Sequence, residues 1–196
     1  MKKAGIMKTL CVHPDDRSTD FLKRVYKGKD WDVISSWPGD RKTLAKTMRC
    51  YDRIVMMGHG TPGGLLNVNK FYGREEPQPT YVVDDSFVDI LAGKKTVSIW
   101  CYSDQYARRN KLPGFHTGMI ISEVREAEMV LGSAPLDEKR TLDNMNLFAD
   151  VVNRHIDDSD LLEAQRLMRE EYGRDDPVSE FNRKNIIMLN GNGEDL

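Results

Sequence analysis

A histidine and a cysteine each follow a short apolar run of this sequence, and together they could carry nucleophilic chemistry. His59 comes shortly after residues 54–57, and Cys101 comes directly after residues 96–100. A cysteine thiol is only weakly ionised at neutral pH, but an imidazole within reach can take its proton or stabilise the thiolate. We therefore interpret Cys101 as a candidate nucleophile and His59 as its acid and base.

The glycine after the histidine adds a second chemical feature. Gly60 lets the backbone turn sharply, so its N–H could point at the same spot as the N–H of Cys101. Two converging N–H donors are what the oxyanion of an acyl-transfer reaction needs. The sequence thus predicts an oxyanion site formed by the backbone amides of Gly60 and Cys101.

The elements that must position these residues alternate in the first half of the chain. The hydrophobic periods predict strands at 8–13, 31–36, 54–57 and 96–100, with helices at 19–26, 40–50 and 85–92 between them. Residues 65–84 have two β-prone flanks, which indicate a hairpin or flap. Apolar strands separated by helices indicate an α/β fold with a mostly parallel sheet, a three-layer α/β/α sandwich. Chemistry collects at the carboxyl ends of such strands.

The second half contributes fewer strands and longer helices. We predict a short helix at 105–111, a fifth strand at 118–122, an ambiguous segment at 123–131, and helices at 136–156 and 160–172. A last strand at 185–189 is expected at a sheet edge, followed by a frayed tail. We expect one domain, residues 1–196, with its core at about 7–172 and the edge strand and tail at 173–196.

Composition limits the partners and the compartment. Lys and Arg number 29 against 31 Asp and Glu, so no strong field would draw the chain onto nucleic acid or an anionic membrane. No apolar stretch approaches the ~18 residues of a membrane span, and the first residues make a poor secretory signal. Cys11, Cys50 and Cys101 lack CxxC spacing, which fits reduced thiols in the cytoplasm.

The order of these features resembles the caspase-like cysteine peptidases, which include caspases, legumains, gingipains and clostripain-type enzymes. The likeness covers about residues 8–156: the strand order, a His-Gly pair after the third strand, a flap, and a cysteine that ends the fourth strand. Caspases separate the pair by about 50 residues, close to the interval between His59 and Cys101. The resemblance implies a Cys–His dyad that cleaves a peptide or protein substrate without a metal or cofactor.

The sequence also departs from that family. The caspase signature Gln-Ala-Cys-x-Gly is absent around Cys101, and Trp100 and Tyr102 could narrow the pocket. Further candidates for substrate binding are His13, which ends the first predicted strand, and nearby carboxylates, which would favour a basic residue before the scissile bond: Asp84, Asp85, Asp104 and Glu123. The alternative for each carboxylate is a helix N-cap or a solvated surface position.

Two other functions compete with a peptidase. His13-Pro14-Asp15-Asp16 resembles the zinc-binding start of the de-N-acetylases, but Arg17 replaces the expected carboxylate and no His-x-x-His supplies further ligands. The other alternative is a catalytically inactive caspase-like scaffold that binds a protein or a small molecule. The sequence leaves the oligomeric state open, and an exposed sheet edge offers one route to an edge-to-edge dimer.

Overall fold

Alternating strands and helices build a mixed, mostly parallel sheet in the computed structural model, which describes residues 7–35, 40–68, 80–173 and 176–196. The strands are β1 (Thr9–Val12), β2 (Asp32–Ile34), β3 (Arg53–Met57), β4 (Gly60–Thr61), β5 (Gly64–Asn67), β6 (Thr80–Val83), β7 (Lys95–Ile99), β8 (Gly114–Thr117) and β9 (Ile186–Leu189). The α-helices are α1 (Arg41–Met48), α2 (Val88–Leu91), α3 (Ser103–Arg109), α4 (Val124–Leu131), α5 (Glu138–His155), α6 (Leu161–Glu171) and α7 (Pro177–Lys184).

The main sheet has the strand order β2-β1-β3-β7-β8-β9. All neighbours in it run parallel except β9, which is antiparallel to β8. β3 and β7 are adjacent and in register from Arg53 opposite Lys95 to Met57 opposite Ile99. The α/β class and the mostly parallel sheet predicted from the sequence are confirmed, and the carboxyl ends of β3 and β7 lie side by side.

Successive residues of the central strands enter two separate hydrophobic clusters, because side chains alternate between the faces of a strand. Val55, Met57, Val97 and Ile99 pack on one face with residues of α5 and α6. Ile54 and Met56 pack on the other face with residues of α1, α2 and α3. Helices therefore cover both faces of the sheet, an arrangement compatible with a three-layer sandwich.

A small antiparallel sheet of order β4-β5-β6 follows β3. β5 pairs with β6 between Leu65 opposite Val83 and Asn67 opposite Thr80, with an irregularity after Leu65. The pairing of the two flanks predicted for residues 65–84 is confirmed. The middle of that stretch, residues 69–79, and the predicted strand end at residue 36 lie outside the described residues.

The predicted fifth strand at 118–122 is wrong, and the strand lies earlier, at Gly114–Thr117. Gly114 has φ +135, and a Cβ there would lie 1.9 Å from the carbonyl oxygen of Thr96, so β8 can approach β7 only through a glycine. The apolar run after it is buried without strand pairing. The side chain of Asn182 satisfies the backbone N–H and C=O of Ile121 instead, at 2.7 and 2.9 Å.

Other local predictions need smaller corrections. The predicted helix at 19–26 is a 3-10 helix, Arg17–Tyr26, and its N-cap is Asp16. The ambiguous segment 123–131 is helical, with a capping box between Glu123 and Glu126. The C-terminal tail is not frayed, because the N–H of Leu196 donates to the carbonyl of Met188 at 3.1 Å.

Two buried histidines should make stability depend on pH. Burial, mainly, lowers the pKa of His13 to about 4 and that of His116 to about 3. The unfolded chain takes up these protons below about pH 6.5 while the folded protein does not. The stabilisation is therefore complete above that pH and is lost as the pH falls toward 4, by up to about 1.4 kcal/mol per pH unit for each histidine.

Urea unfolding between pH 7 and pH 4.5 measures this effect. We expect His13→Gln and His116→Gln each to reduce the pH dependence of the free energy of unfolding, whatever they do to stability at pH 7. Curves for the two variants that run parallel to the wild-type curve would contradict this assignment.

Candidate active site

The ladder between β3 and β7 continues one step beyond the strands. The N–H of Gly58 donates to the carbonyl of Ile99 at 3.1 Å. The last pair of the register is Met57 opposite Ile99, so His59 follows the end of β3 by two residues and Cys101 follows the end of the adjacent β7 by two residues. The parallel pairing thus brings together the two residues that the sequence singles out.

His59 and Cys101 both line one small open pocket of about 40 Å³. The pocket lies on the face of the sheet that carries Met57 and Ile99, over α5 and the 3-10 helix. Its other lining residues are mostly apolar and include Phe21, Leu22, Ile120 and Phe148, with the polar residues Thr19, Ser122 and Glu126. A substrate group that enters this pocket would contact the imidazole and the thiol together.

The imidazole of His59 has a defined orientation. Its Nε2 lies 2.6 Å from the hydroxyl of Ser18, and that hydroxyl lies 2.6 Å from Oδ1 of Asp16. The side chain of His59 is 40% exposed, whereas that of Asp16 is 8% exposed. A half-exposed base is therefore connected to a buried carboxylate through one hydroxyl, and the sequence reasoning did not identify this arrangement.

The thiol of Cys101 is less exposed than a preformed thiolate would require. Burial raises the pKa of Cys101, and Glu126 raises it further, against a smaller lowering effect of the backbone at Ile120. The thiol itself donates to the carbonyl of Ile120 at 3.8 Å, a contact that favours its protonated form. Among the described residues, no hydrogen bond joins the sulfur to His59. The thiol is therefore neutral at rest, and a base must remove its proton before it can act as a nucleophile.

A tight turn carries the chain from Cys101 into α3. Tyr102 adopts a left-handed conformation, φ 67 and ψ 27, which is uncommon for a residue with a side chain. The N–H of Tyr102 donates to Gly118 at 3.2 Å, and that of Ser103 donates to Trp100 at 3.1 Å. A non-glycine residue in this conformation costs about 1–2 kcal/mol, so the surrounding bonds must hold the turn in place.

Gly60 packs closely against the ring of Trp100. Trp100 borders the pocket, yet its ring belongs to the hydrophobic cluster on the other face and its Nε1 donates to Thr61 at 3.0 Å. A Cβ on Gly60 would lie 2.1 Å from Cδ1 of that ring. The indole ring leaves no room for a side chain at position 60, which explains the glycine there. Gly60 is not among the residues that line the pocket.

Asp84 and Asp85 are engaged with arginines outside the pocket. Asp84 pairs with Arg41 and caps the turn at residues 85–87, and Arg41 is the main cause of its lowered pKa. Asp85 accepts from Arg109 at 2.8 Å, which likewise lowers its pKa. The structure does not bring either carboxylate to His59 and Cys101.

The other two predicted carboxylates also lie elsewhere. Asp104 lies at the start of α3, 3.5 Å from Arg108, and Glu123 is the N-cap of α4. The carboxylate that does line the pocket is Glu126, whose Oε2 accepts from the N–H and hydroxyl of Ser122 at 2.7 and 2.9 Å. The sequence pattern of residues 123–131 did not decide between helix and strand, so it did not predict that Glu126 would line the pocket.

His13 is buried behind the pocket. Its ring nitrogens lie 3.2 Å from the hydroxyl of Thr19 and 3.3 Å from that of Tyr26, and it does not line the pocket with His59. The neighbouring Asp15 approaches Lys23 at 3.4 Å. Within the described ranges, no group of three His, Cys, Asp or Glu side chains is arranged to hold a metal ion.

Comparison with known proteins adds no family. No protein-family model matches the chain, and no curated protein matches it significantly. In the described part of the chain, every helix is too short or too polar to cross a membrane. The feature that points to chemistry is the pocket that His59 and Cys101 both line.

Ser103, which directly follows the left-handed Tyr102, should be important for stability. The hydroxyl of Ser103 accepts from the buried N–H of Thr117 at 2.8 Å and donates to the carbonyl of Ser98 at 2.7 Å. Ser103→Ala leaves that N–H without an acceptor, so we expect a loss of about 1–3 kcal/mol in the free energy of unfolding. Denaturant unfolding measures it, with Ser159→Ala at an exposed position as the control. Equal stabilities for the two variants would contradict this role.

Proposed function

We propose that the chain is a caspase-like cysteine peptidase in which Cys101 is the nucleophile and His59 is the acid and base. The observation that carries the proposal is the shared pocket at the carboxyl ends of β3 and β7. The order of a parallel strand, His-Gly, an antiparallel pair, a second parallel strand and Cys is compatible with the family that the sequence resembles. The proposed substrate is a peptide or a protein.

The proposed reaction has two stages. His59 takes the proton of the Cys101 thiol, the sulfur attacks the peptide carbonyl, and the imidazolium then protonates the amine as the C–N bond breaks. This leaves a thioester on Cys101. His59 next takes a proton from water, the oxygen attacks the thioester, and the carboxylic acid is released as the sulfur regains a proton.

Because the Cys101 thiol is protonated at rest, a mechanism in which a base activates the thiol is favoured over one that starts from a thiolate. Because burial raises the pKa of Cys101, proton transfer to His59 must accompany attack on the substrate. The N–H of Cys101 donates to no backbone carbonyl of the described residues, which suits a donor to the oxyanion. The N–H of Gly60 remains the predicted second donor.

An inactive binding scaffold is the second candidate. The neutral, partly buried thiol and its bond to Ile120 rather than to His59 favour it. In that case the pocket would bind a protein segment or a small molecule without turnover. The two candidates differ in whether His59 controls the reactivity of Cys101.

Labelling with peptidyl acyloxymethyl ketones tests the proposal. We expect one covalent adduct, on Cys101, because such probes place their carbonyl where the substrate carbonyl would lie. His59→Ala should slow labelling at least 100-fold, since the neutral thiol then lacks its base. Mass spectrometry after proteolysis identifies the modified residue.

Cys50→Ala is the matched control, because Cys50 is exposed and lies away from the pocket. It should leave labelling of Cys101 unchanged, whereas Cys101→Ala should abolish it. Labelling of Cys101 at the same rate with and without His59 would remove the peptidase proposal and favour the scaffold.

Glu126 should set a preference for a basic residue before the scissile bond, since it is the carboxylate that lines the pocket. Glu126→Gln keeps an acceptor for the capping box but removes the charge. We expect kcat/KM for substrates with Arg or Lys at that position to fall about 10-fold, a loss of about 1.4 kcal/mol, and values for neutral substrates to stay unchanged. Equal effects on both classes would show that Glu126 does not read the substrate's charge.

A further inference from the structure

We infer that Asp16 and Ser18 are positioning residues that keep the proton of neutral His59 on Nε2 and so leave Nδ1 as the basic nitrogen. The assignment of the tautomer depends on the geometry alone. Its catalytic consequence rests on the proposed function, in which that base deprotonates Cys101. A carboxylate, a hydroxyl and an imidazole thus form one hydrogen-bonded chain that ends at the pocket.

The chain of contacts is short throughout. Oδ1 of Asp16 accepts from the hydroxyl of Ser18 at 2.6 Å and from the N–H of the same residue at 2.8 Å. The hydroxyl oxygen lies 2.6 Å from Nε2 of His59. Oδ1 itself lies 3.8 Å from Nε2, too far for a direct hydrogen bond.

The number of protons decides the direction of each bond. An ionised carboxylate can only accept, and a hydroxyl has one proton to donate. The hydroxyl proton of Ser18 must therefore point to Asp16. Two oxygens 2.6 Å apart with no proton between them would repel each other. The hydroxyl oxygen is then free only to accept, so Nε2 of His59 must carry the proton that joins them.

The carboxylate is held rigidly enough to impose this order. Asp16 is buried and is the N-cap of the 3-10 helix Arg17–Tyr26. Its carbonyl accepts from the N–H and from the hydroxyl of Thr19, both at 3.1 Å. Because backbone and side chain are both bonded, the carboxylate cannot rotate away without breaking the helix cap.

The negative charge of Asp16 also favours the protonated state of His59. When His59 has taken the proton of the thiol, its ring is cationic and Asp16 lies 3.8 Å from Nε2. In triads with a carboxylate in direct contact, that group fixes the tautomer and stabilises the imidazolium. Here a serine hydroxyl stands between the two groups and transmits the same orientation.

Nitrogen NMR of the full chain tests the tautomer without any substrate. With ¹⁵N-labelled histidine at alkaline pH, we expect His59 to be a single tautomer protonated on Nε2 in the wild type and in Ser18→Thr, which retains the hydroxyl. Ser18→Ala should give a mixture of the two tautomers. A wild-type ring protonated on Nδ1, or an unchanged tautomer in Ser18→Ala, would overturn the inference.

Kinetics test the catalytic consequence on a peptide that the wild type cleaves. We expect Ser18→Ala and Asp16→Asn to lower kcat about 10- to 100-fold with KM within twofold, and Ser18→Thr to recover most of the rate. Asp15→Asn is the matched control, because this exposed neighbour contacts Lys23 and not the pocket. Full activity in Ser18→Ala would overturn the positioning role.

The experiments separate failure of this inference from failure of the proposed function. If no peptide is cleaved and no ketone labels Cys101, the peptidase proposal fails while the NMR result still decides the tautomer. If a ketone or ester labels Ser18 and Cys101→Ala keeps that labelling, Ser18 is the nucleophile and its positioning role is overturned. An Asp16→Asn variant that does not fold leaves the decision to the two Ser18 variants.

Discussion

The parallel pairing of β3 with β7 is the constraint on which the candidate site depends. Its register ends with Met57 opposite Ile99 and is extended by the bond from Gly58 to Ile99. A slip of one residue would turn every following side chain to the other face of the sheet. His59 and Cys101 would then no longer line the same pocket, so an error in pairing far from the chemistry would remove it.

Burial gives the site a particular chemical character. Burial among apolar side chains raises the pKa of the Cys101 thiol, which keeps the sulfur neutral and weakly nucleophilic. Oxidation and alkylation act on thiolates, so a neutral sulfur is protected until a base acts on it. Exposed Cys50 has no such environment. Reactivity at Cys101 is therefore expected to depend on His59 more than on access alone.

The sequence predicts the scaffold better than the details of the site. Hydrophobic periods locate the strands that carry His59 and Cys101, because burial within a parallel sheet leaves continuous apolar runs. The apolar run at 118–122 misleads, since a side-chain amide from Asn182 replaces the ladder there. Asp84 and Asp85 are near the site in sequence order but are held by arginines from α1 and α3. Such partners depend on tertiary packing, which no local pattern records.

Two of the residues that sequence reasoning missed, Asp16 and Ser18, follow shortly after β1. β1 pairs with β3 in the sheet, so its carboxyl end adjoins that of β3 as closely as the end of β7 does. His13 attracts attention in the loop after β1, yet it turns into the core toward Thr19 and Tyr26. The helix cap that follows carries Asp16 and Ser18 to His59 instead. Three neighbouring strand ends thus supply three different parts: the orienting carboxylate and hydroxyl, the base, and the nucleophile. A search for chemistry at the ends of parallel strands should therefore include the capping residues of the next helix, because they are fixed by backbone bonds and face the same crevice.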